Sequence, residues 1–311
     1  MAAPTAPADR GGSVLLERAP AKVNLCLHVT GRRADGYHVL DSLVAFADLG
    51  DEVVVSRRND ATNLQVICGK MPVVEDRDAL VVPDGIDNLA WRALAALARD
   101  TGPLPGVEIT LRKRLPAGAG LGGGSSDAAA VIRAVAALFG RPNDRPLRPV
   151  ALGADLPMCL EPRPWRARGV GEVLEPLVLA HDLPALLVWP GRPLSTPAVF
   201  RARAGGFGAA IPAAAVARLA RDPLGALAEL RNDLEAAACA LEPAVAEALQ
   251  AVQRQPRCRL ARMSGSGSAV FGLFERESDV AEAAAALAAD RAAWWVRATV
   301  LRAGRMATCV A

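Results

Sequence analysis

The chain begins its patterned part with an alternation of period two. Val23, Leu25, Leu27 and Val29 would share one face of a strand, with Lys22, Asn24, Cys26 and His28 on the other. Strand-like runs recur at 39–48, 52–57, 62–68 and 107–113. Residues 88–99 change period: Leu89, Trp91, Leu94 and Leu97 recur at helical spacing behind Asn88, a good N-cap. A second helix is predicted over about 126–139. Ser125 or Ser126 would cap it, Asp127 suits its positive end, and Gly140 with Pro142 would stop it. Proline is frequent from 142 to 197, which reads as the region of a hinge. Beyond it, helices are predicted near 211–221, 232–239, 242–254 and 278–291, and strands near 184–189, 259–263, 268–274 and 294–301. Several strands precede the first helix, so the rhythm is not that of a doubly wound sheet. The pattern predicts an α+β protein of two domains, 14–168 and 169–311, behind a disordered tail at 1–13.

Composition narrows the function classes. With 52% hydrophobic and 22% charged residues, 311 residues can bury a sizeable core. Lys+Arg 36 against Asp+Glu 33 leaves a net charge of only +3, without a long basic run, so no nucleic-acid partner is expected. The six cysteines are scattered with no C-x-x-C, and only three histidines are present, which excludes an obvious zinc or disulfide framework. Residues 1–13 lack the apolar core of a signal peptide, and no apolar run reaches membrane-spanning length. A reducing cytoplasm and no membrane partner are the expectation. Lysine occurs only at 22, 70 and 113 in an arginine-rich chain. Each is therefore a candidate for work that a compact point charge does better than a guanidinium.

The chemistry concentrates at 114–130, RLPAGAGLGGGSSDAAA. Five glycines fall within 118–124, and the run leads straight into the predicted helix. Backbone amides at such a junction are free to approach a ligand, and the helix dipole favours negative charge, so a polyphosphate fits. Ser125 and Ser126 offer hydroxyls to phosphate oxygens or to a metal-bound water. A flexible surface loop is the bland alternative. Gly118, Gly120 and Gly123 also satisfy G-x-G-x-x-G, but no buried parallel strand precedes them and no acidic residue closes a second strand. A Walker loop is excluded because no G-K-[ST] follows.

The form P-x-x-x-G-L-G-x-x-S-S, met by Pro116, Gly120, Leu121, Gly122, Ser125 and Ser126, resembles the nucleotide loop of the galacto-, homoserine, mevalonate and phosphomevalonate kinase superfamily. AKVNLCLHV at 21–29 and MSGSGSAVFGLF at 263–274 are similar to two further motifs of that group. The segments 20–43, 115–130, 152–160, 168–172, 190–200 and 231–235 are similar, in order, to the branch that phosphorylates the 2-hydroxyl of 4-diphosphocytidyl-2-C-methyl-D-erythritol in the non-mevalonate route to isoprenoids. EPRPWRA at 161–167 departs from that branch, where a small glycine-containing stretch is usual.

The resemblance implies an N-terminal mixed-sheet domain like domain 2 of ribosomal protein S5 and a ferredoxin-like C-terminal sandwich. It makes Asp155 the base that accepts the proton of the attacking hydroxyl, where a helix N-cap is the plain structural alternative. Lys22 becomes its partner, against the default of a solvated strand lysine, and Asn24 joins the same site. ATP would lie on Pro116, Ala117, Gly118, Ala119, Gly120, Leu121, Gly122, Gly123, Gly124, Ser125 and Ser126, with Lys113 within reach. Tyr37 and Phe200 would sandwich a cytosine whose polar edge His38 reads, and Thr196 would contact the diphosphate or ribose. His28 and His181 serve packing or solvent. Mg²⁺ is expected to arrive with ATP, since no carboxylate cage stands out. The turn 264–268 should pack near the glycine loop. A monomer or weak homodimer is expected. Other acceptors of the superfamily, or a nucleotide-binding regulator without catalysis, remain the rival readings.

Overall fold

The computed structural model describes residues 14–68, 82, 87–140 and 153–310. The expected tail at 1–13, Lys70 and the helix-stopping Pro142 lie outside these residues. The described strands form one sheet. Its spine is a long antiparallel hairpin of β1 (Val14–Arg32) and β2 (His38–Arg57). The runs predicted separately at 39–48 and 52–57 are one strand, because pairing with β1 continues through Gly50 opposite Pro20. The strand β4 (Val107–Lys113) lies antiparallel on β2, and β3 (Asn63–Cys68) adds in parallel to β4, which makes the sheet mixed. Two helices cover this end: α1 (Leu89–Thr101), capped by Asn88 Oδ1 accepting the Ala90 N–H at 2.9 Å, and α2 (Gly123–Phe139). Their apolar faces meet Phe46, Val53, Val55, Ile109 and Leu111 in a first core.

The 161–167 departure lies in an ordered place. After α3 (Leu156–Leu160), β5 (Trp165–Gly169) pairs with β2 and turns into β6 (Val173–Pro176). Arg166 donates two hydrogen bonds to the buried Asp41, at 2.8 and 2.7 Å. In the second half, β7 (Leu183–Trp189), β8 (Leu260–Met263), β9 (Val270–Leu273) and β10 (Trp295–Arg302) run antiparallel in the order β10-β7-β9-β8. The helices α8 (Pro243–Gln253) and α9 (Glu277–Asp290) pack on them, the arrangement expected of a ferredoxin-like sandwich. The helix α4 (Thr196–Ala202) is hidden in the proline-rich run, because Pro197 sits in its first turn where proline is tolerated. The predicted helix 211–221 is instead α5 (Ala213–Arg218), followed by α6 (Pro223–Ala228) and α7 (Glu235–Leu241). Asp222 caps α6 by accepting the Gly225 N–H at 2.9 Å, which explains the break. A last short strand, β11 (Cys309–Val310), returns to β1.

The alternation read at 22–29 does not separate core from solvent. Residues 19–29 of β1 are all buried, and register slips between Pro20 and Lys22 and between Asn24 and Cys26 break the period. Cys26 consequently packs with Val23 and Leu25, while Leu27 and Val29 belong to a different core. Among the described residues no helix is long and apolar enough to cross a membrane.

Candidate active site

The glycine loop bridges β4 and α2 and is pinned by its apolar members. Ala119 and Leu121 are buried in the second core; Leu121 C=O accepts the Lys22 N–H at 2.8 Å, and Ala119 C=O accepts the Ala269 N–H at 2.9 Å. The loop backbone is thus held by β1 on one side and by the 264–268 turn on the other. Gly120 has φ +77°, and a Cβ there would stand 2.6 Å from Gly267 O, so the two glycine turns touch only because both are bare. Gly122 has φ +68° and serves as N-cap of α2.

This corrects the predicted cap. Ser125 and Ser126 already lie inside α2, and Ser126 is turned inward, its hydroxyl donating to Pro20 C=O at 2.7 Å. Ser126 therefore anchors the helix to β1 and has no free hydroxyl for phosphate. Pro116, Ala117, Gly118, Gly123, Gly124 and Ser125 line a cavity of about 400 Å³ together with Asn88, Leu89, Lys113 and Asp127. On the wall of this cavity Lys113 is buried in a triad, bound by Asp51 and Asp127. Burial alone would lower its pKa, but the adjacent charges of Asp127 and Asp51 outweigh it and hold the ammonium. Burial pushes the Asp127 carboxyl up to about 7; Lys113 opposes that shift and the Asp51 charge adds to it. Asp51 also accepts the backbone N–H groups of Arg114 and Leu115, so the triad clamps the start of the loop to α2. The Oδ1 of Asp127 is buried without a hydrogen-bond partner.

A larger cavity, about 930 Å³, adjoins the first across Gly120, Gly122 and Ser125. Lys22 and Asp155 meet at this junction, with Lys22 Nζ 2.8 Å from Asp155 Oδ2. The lysine side chain is 7% exposed and the carboxylate 35%, so the ammonium lies behind and the carboxylate looks into the cavity. Asp155 precedes α3 but its side chain makes no capping bond, which removes the plain structural reading of that residue. Lys22 is aimed by a chain of hydrogen bonds. Its Nζ donates to Asn24 Oδ1 at 2.9 Å, Asn24 Nδ2 donates to Ser42 Oγ at 2.8 Å, and Ser42 Oγ donates to Cys26 C=O at 2.6 Å. Ser42 was not singled out from the sequence; only its partner across the hairpin gives it this task.

On the wall of the large cavity His38 stacks on Phe200, with ring centroids 4.8 Å apart and planes at 22°. His38, expected to read the base edge, thus lies against one of the two rings expected to sandwich it. Tyr37 closes the turn before β2 and is 66% exposed, whereas His38, the next residue, reaches Phe200 of α4. All three line the same cavity. Burial lowers the His38 pKa, and Arg32 and Arg203 lower it further. Phe207, also missed from the sequence, approaches His38 edge-on at 6.4 Å. Thr196 shares a 2.7 Å hydrogen bond with Ser266, which ties α4 to the second glycine turn. Asn232 holds that turn by donating to Met263 C=O and Gly265 C=O, both at 2.8 Å. His28 is buried with Nδ1 on Ala209 C=O, and His181 is exposed; neither lines a site cavity. Among the described residues no group of three or more His, Cys, Asp or Glu side chains is placed to hold a metal.

A glycine loop at a helix N-terminus beside a lysine–carboxylate pair, at the meeting of two cavities, defines a small-molecule kinase site. The family model for the N-terminal domain of GHMP kinases matches residues 88–158, and that for their C-terminal domain matches 213–292. A 4-diphosphocytidyl-2-C-methyl-D-erythritol kinase of Paramagnetospirillum magneticum is 47% identical over 281 residues, 89% of this chain and 95% of that one. A crystal structure of a 4-(cytidine 5'-diphospho)-2C-methyl-D-erythritol kinase superposes with TM-score 0.75 at 40% identity, covering 92% of this chain and 99% of the other. The homoserine kinase of Cytophaga hutchinsonii, at TM-score 0.70 but 18% identity over 97% and 98% of the two chains, shares the fold. The chain belongs to the 4-diphosphocytidyl-2-C-methyl-D-erythritol kinase family of GHMP kinases, ATP-dependent enzymes that act on small molecules.

Proposed function

We propose that this chain transfers the γ-phosphate of ATP to the 2-hydroxyl of 4-diphosphocytidyl-2-C-methyl-D-erythritol. The observation that carries the reading is the Lys22–Asp155 pair at 2.8 Å, standing where a nucleotide-sized cavity adjoins a larger one lined by aromatic side chains. The acceptor's base would lie by Tyr37, His38 and Phe200, and its sugar alcohol by Asp155. A neutral His38 offers one donor and one acceptor nitrogen, which suits the acceptor N3 and amino N4 edge of cytosine.

Phosphoryl transfer through a loose transition state asks chiefly for positioning and charge stabilisation. The acceptor hydroxyl oxygen bonds to the γ-phosphorus as the bond to the bridging oxygen breaks, and ADP leaves. Asp155 Oδ1, which has no hydrogen-bond partner among the described residues, takes the hydroxyl proton. Lys22 stays protonated, orients Asp155 through Oδ2 and stabilises the charge on the transferring group. Loop amides between Pro116 and Ser125 cradle the phosphates, and Asn24 keeps Lys22 aimed. Magnesium would come with ATP and would supply charge neutralisation; the Ser125 hydroxyl and the unpartnered Asp127 Oδ1 would be oxygen donors of the kind it takes.

One chain supplies both cavities, which suits a monomer or weak homodimer. Six unpaired cysteines suit the cytoplasm. The division of the chain near residue 168 belongs to the same proposal, supported by family matches that fall on either side of it.

The test is ADP release by the purified chain with Mg-ATP, comparing the cytidylyl acceptor with mevalonate, homoserine and no acceptor. Turnover confined to the first is the expected result. Turnover with another acceptor would discard the cytosine pocket, and silence with all four in folded, ATP-binding protein would leave a non-catalytic regulator.

A further inference from the structure

Many of the described arginines are matched to carboxylates: Arg133 to Glu17, Arg166 to Asp41, Arg218 to Asp222 and Arg302 to Asp182 are examples. The wall of the large cavity is an exception. Arg32 from the end of β1, Arg201 from α4 and Arg203 just beyond α4 all line it, and none has a carboxylate partner among the described residues. The two carboxylates on the same wall are already engaged, Asp155 by Lys22 at 2.8 Å and Asp35 by Arg33 at 3.1 Å. Three guanidinium charges therefore remain uncompensated around one concavity.

Surface arginines are commonly left to water, so lack of a partner is not enough alone. Here the surplus converges from separate elements, and two of the three groups are held in place. Arg32 Nε donates to Gly36 C=O at 3.0 Å, while Arg203 donates to Gly206 C=O at 2.6 Å and Gly205 C=O at 3.4 Å. The Arg203 guanidinium also lies 5.7 Å over the Phe207 ring. Backbone carbonyls fix these groups without neutralising them, and each keeps further N–H donors unused. Both are close enough to His38 to depress its basicity, once burial has done the same. Arg201 follows Phe200 directly and makes no hydrogen bond or ion pair to any described residue.

We propose that Arg32, Arg201 and Arg203 form the seat for the acceptor's diphosphate, so that recognition of the acceptor rests on its anionic linker as well as on its base. This rests on the acceptor reading above. A nucleoside diphosphate ester carries negative charge on each phosphate, and guanidinium groups bind such oxygens by paired, charge-assisted hydrogen bonds. Thr196 and Ser266, which line the same cavity, offer hydroxyls to the same linker. The surplus positive charge would also draw the anionic acceptor towards the cavity, an effect that salt weakens.

Calorimetric titration of the full chain with CDP and with cytidine separates the alternatives. Wild type is expected to prefer CDP by roughly 100-fold, the scale of two or three charge-assisted contacts. The Arg201→Ala/Arg203→Ala variant should lose about 10-fold or more of its CDP affinity, keep cytidine within about twofold, and bind ATP as before; Arg32→Ala should act in the same direction. Lysine replacements should restore part of the loss, and added salt should narrow the CDP preference of wild type far more than that of the double variant. A double variant that keeps the full CDP preference overturns the seat while leaving the acceptor reading intact, as does an equal loss for CDP and cytidine. Wild-type protein that binds neither probe overturns both.

Discussion

At the scale of single residues, the site separates groups that touch the reaction from groups that set their state. Asp155 presents its carboxylate to the cavity and caps nothing, so replacing it should not disturb α3. Asp155→Asn is expected to lower turnover at least ~100-fold, the scale of general-base contributions, with ATP affinity nearly unchanged. Rapid-quench turnover and nucleotide binding on the same preparation check this, and turnover like that of wild type would remove the role. His38 illustrates the second kind of group. Burial, then Arg32 and Arg203, lower its pKa from the ordinary histidine value, which favours the neutral ring. Arg203→Ala should therefore move its NMR titration upward. A proton on His38 blocks the ring acceptor that cytosine's amino group needs, so acceptor affinity should fall as pH drops through the folded pKa. In the variant that fall should begin at higher pH.

At the scale of elements, the phosphate loop works because its bare positions let two chain segments close on it. A Cβ on Gly122 would lie 3.0 Å from Lys22 Cβ, at φ +68°. Gly122→Ala should cost about 1–2 kcal/mol from the left-handed backbone alone. It should also push Lys22 off its line to Asp155, so kcat should drop more than ATP affinity. Urea unfolding and steady-state kinetics check the two parts separately. The buried triad under the loop makes a sharper demand. Lys113→Met leaves the Asp51 and Asp127 carboxylates buried without their cation, and removing one partner of a buried pair typically costs about 3–5 kcal/mol. Adding Asp51→Asn and Asp127→Asn should recover much of that loss in denaturant melts; no recovery would mean the lysine stem, not its charge, carries the stability. These elements also mark what was legible in the sequence. The loop and α1 were readable because their signals are local: glycine spacing, and Asn88 before a helical period. The cap expected at Ser125 or Ser126 was misread because a cap and a first-turn residue differ only in backbone geometry, which Gly122 takes over. The alternation in β1 misled because the strand is buried on both faces, with its polar side turned to the site rather than to water. Ser42, Asn232 and the Asp51–Lys113–Asp127 triad carry no local pattern at all, since each acquires its partners from distant segments.

At the scale of the whole molecule, the two halves that the family models match separately are not separate in their packing. Pairing of Leu301 with Ala47 and Arg302 with Phe46 carries the sheet from β2 into β10. The second core takes Leu25, Leu43, Leu115 and Leu121 from the first half and Leu187, Trp189, Phe271 and Trp295 from the second. The glycine loop therefore stands on side chains from both, with Ala119 and Leu121 packed into that shared core. Halves joined only by a hinge would unfold in two steps, each with its own midpoint. A shared core and a continuous sheet couple them, so a single calorimetric transition is expected, with calorimetric and van't Hoff enthalpies in agreement. Phe271→Ala tests the coupling from the side of the second half. The side chain is fully buried in the second half, and its removal should cost about 3–5 kcal/mol. If the coupling holds, hydrogen exchange should rise in α2 and in the loop at 116–125 as much as in β9, because all of them open in the same global event. Exchange that rises in β7, β8 and β9 while α2 stays protected would instead show that the halves open independently, and that the Lys22–Asp155 junction is held by the first half alone.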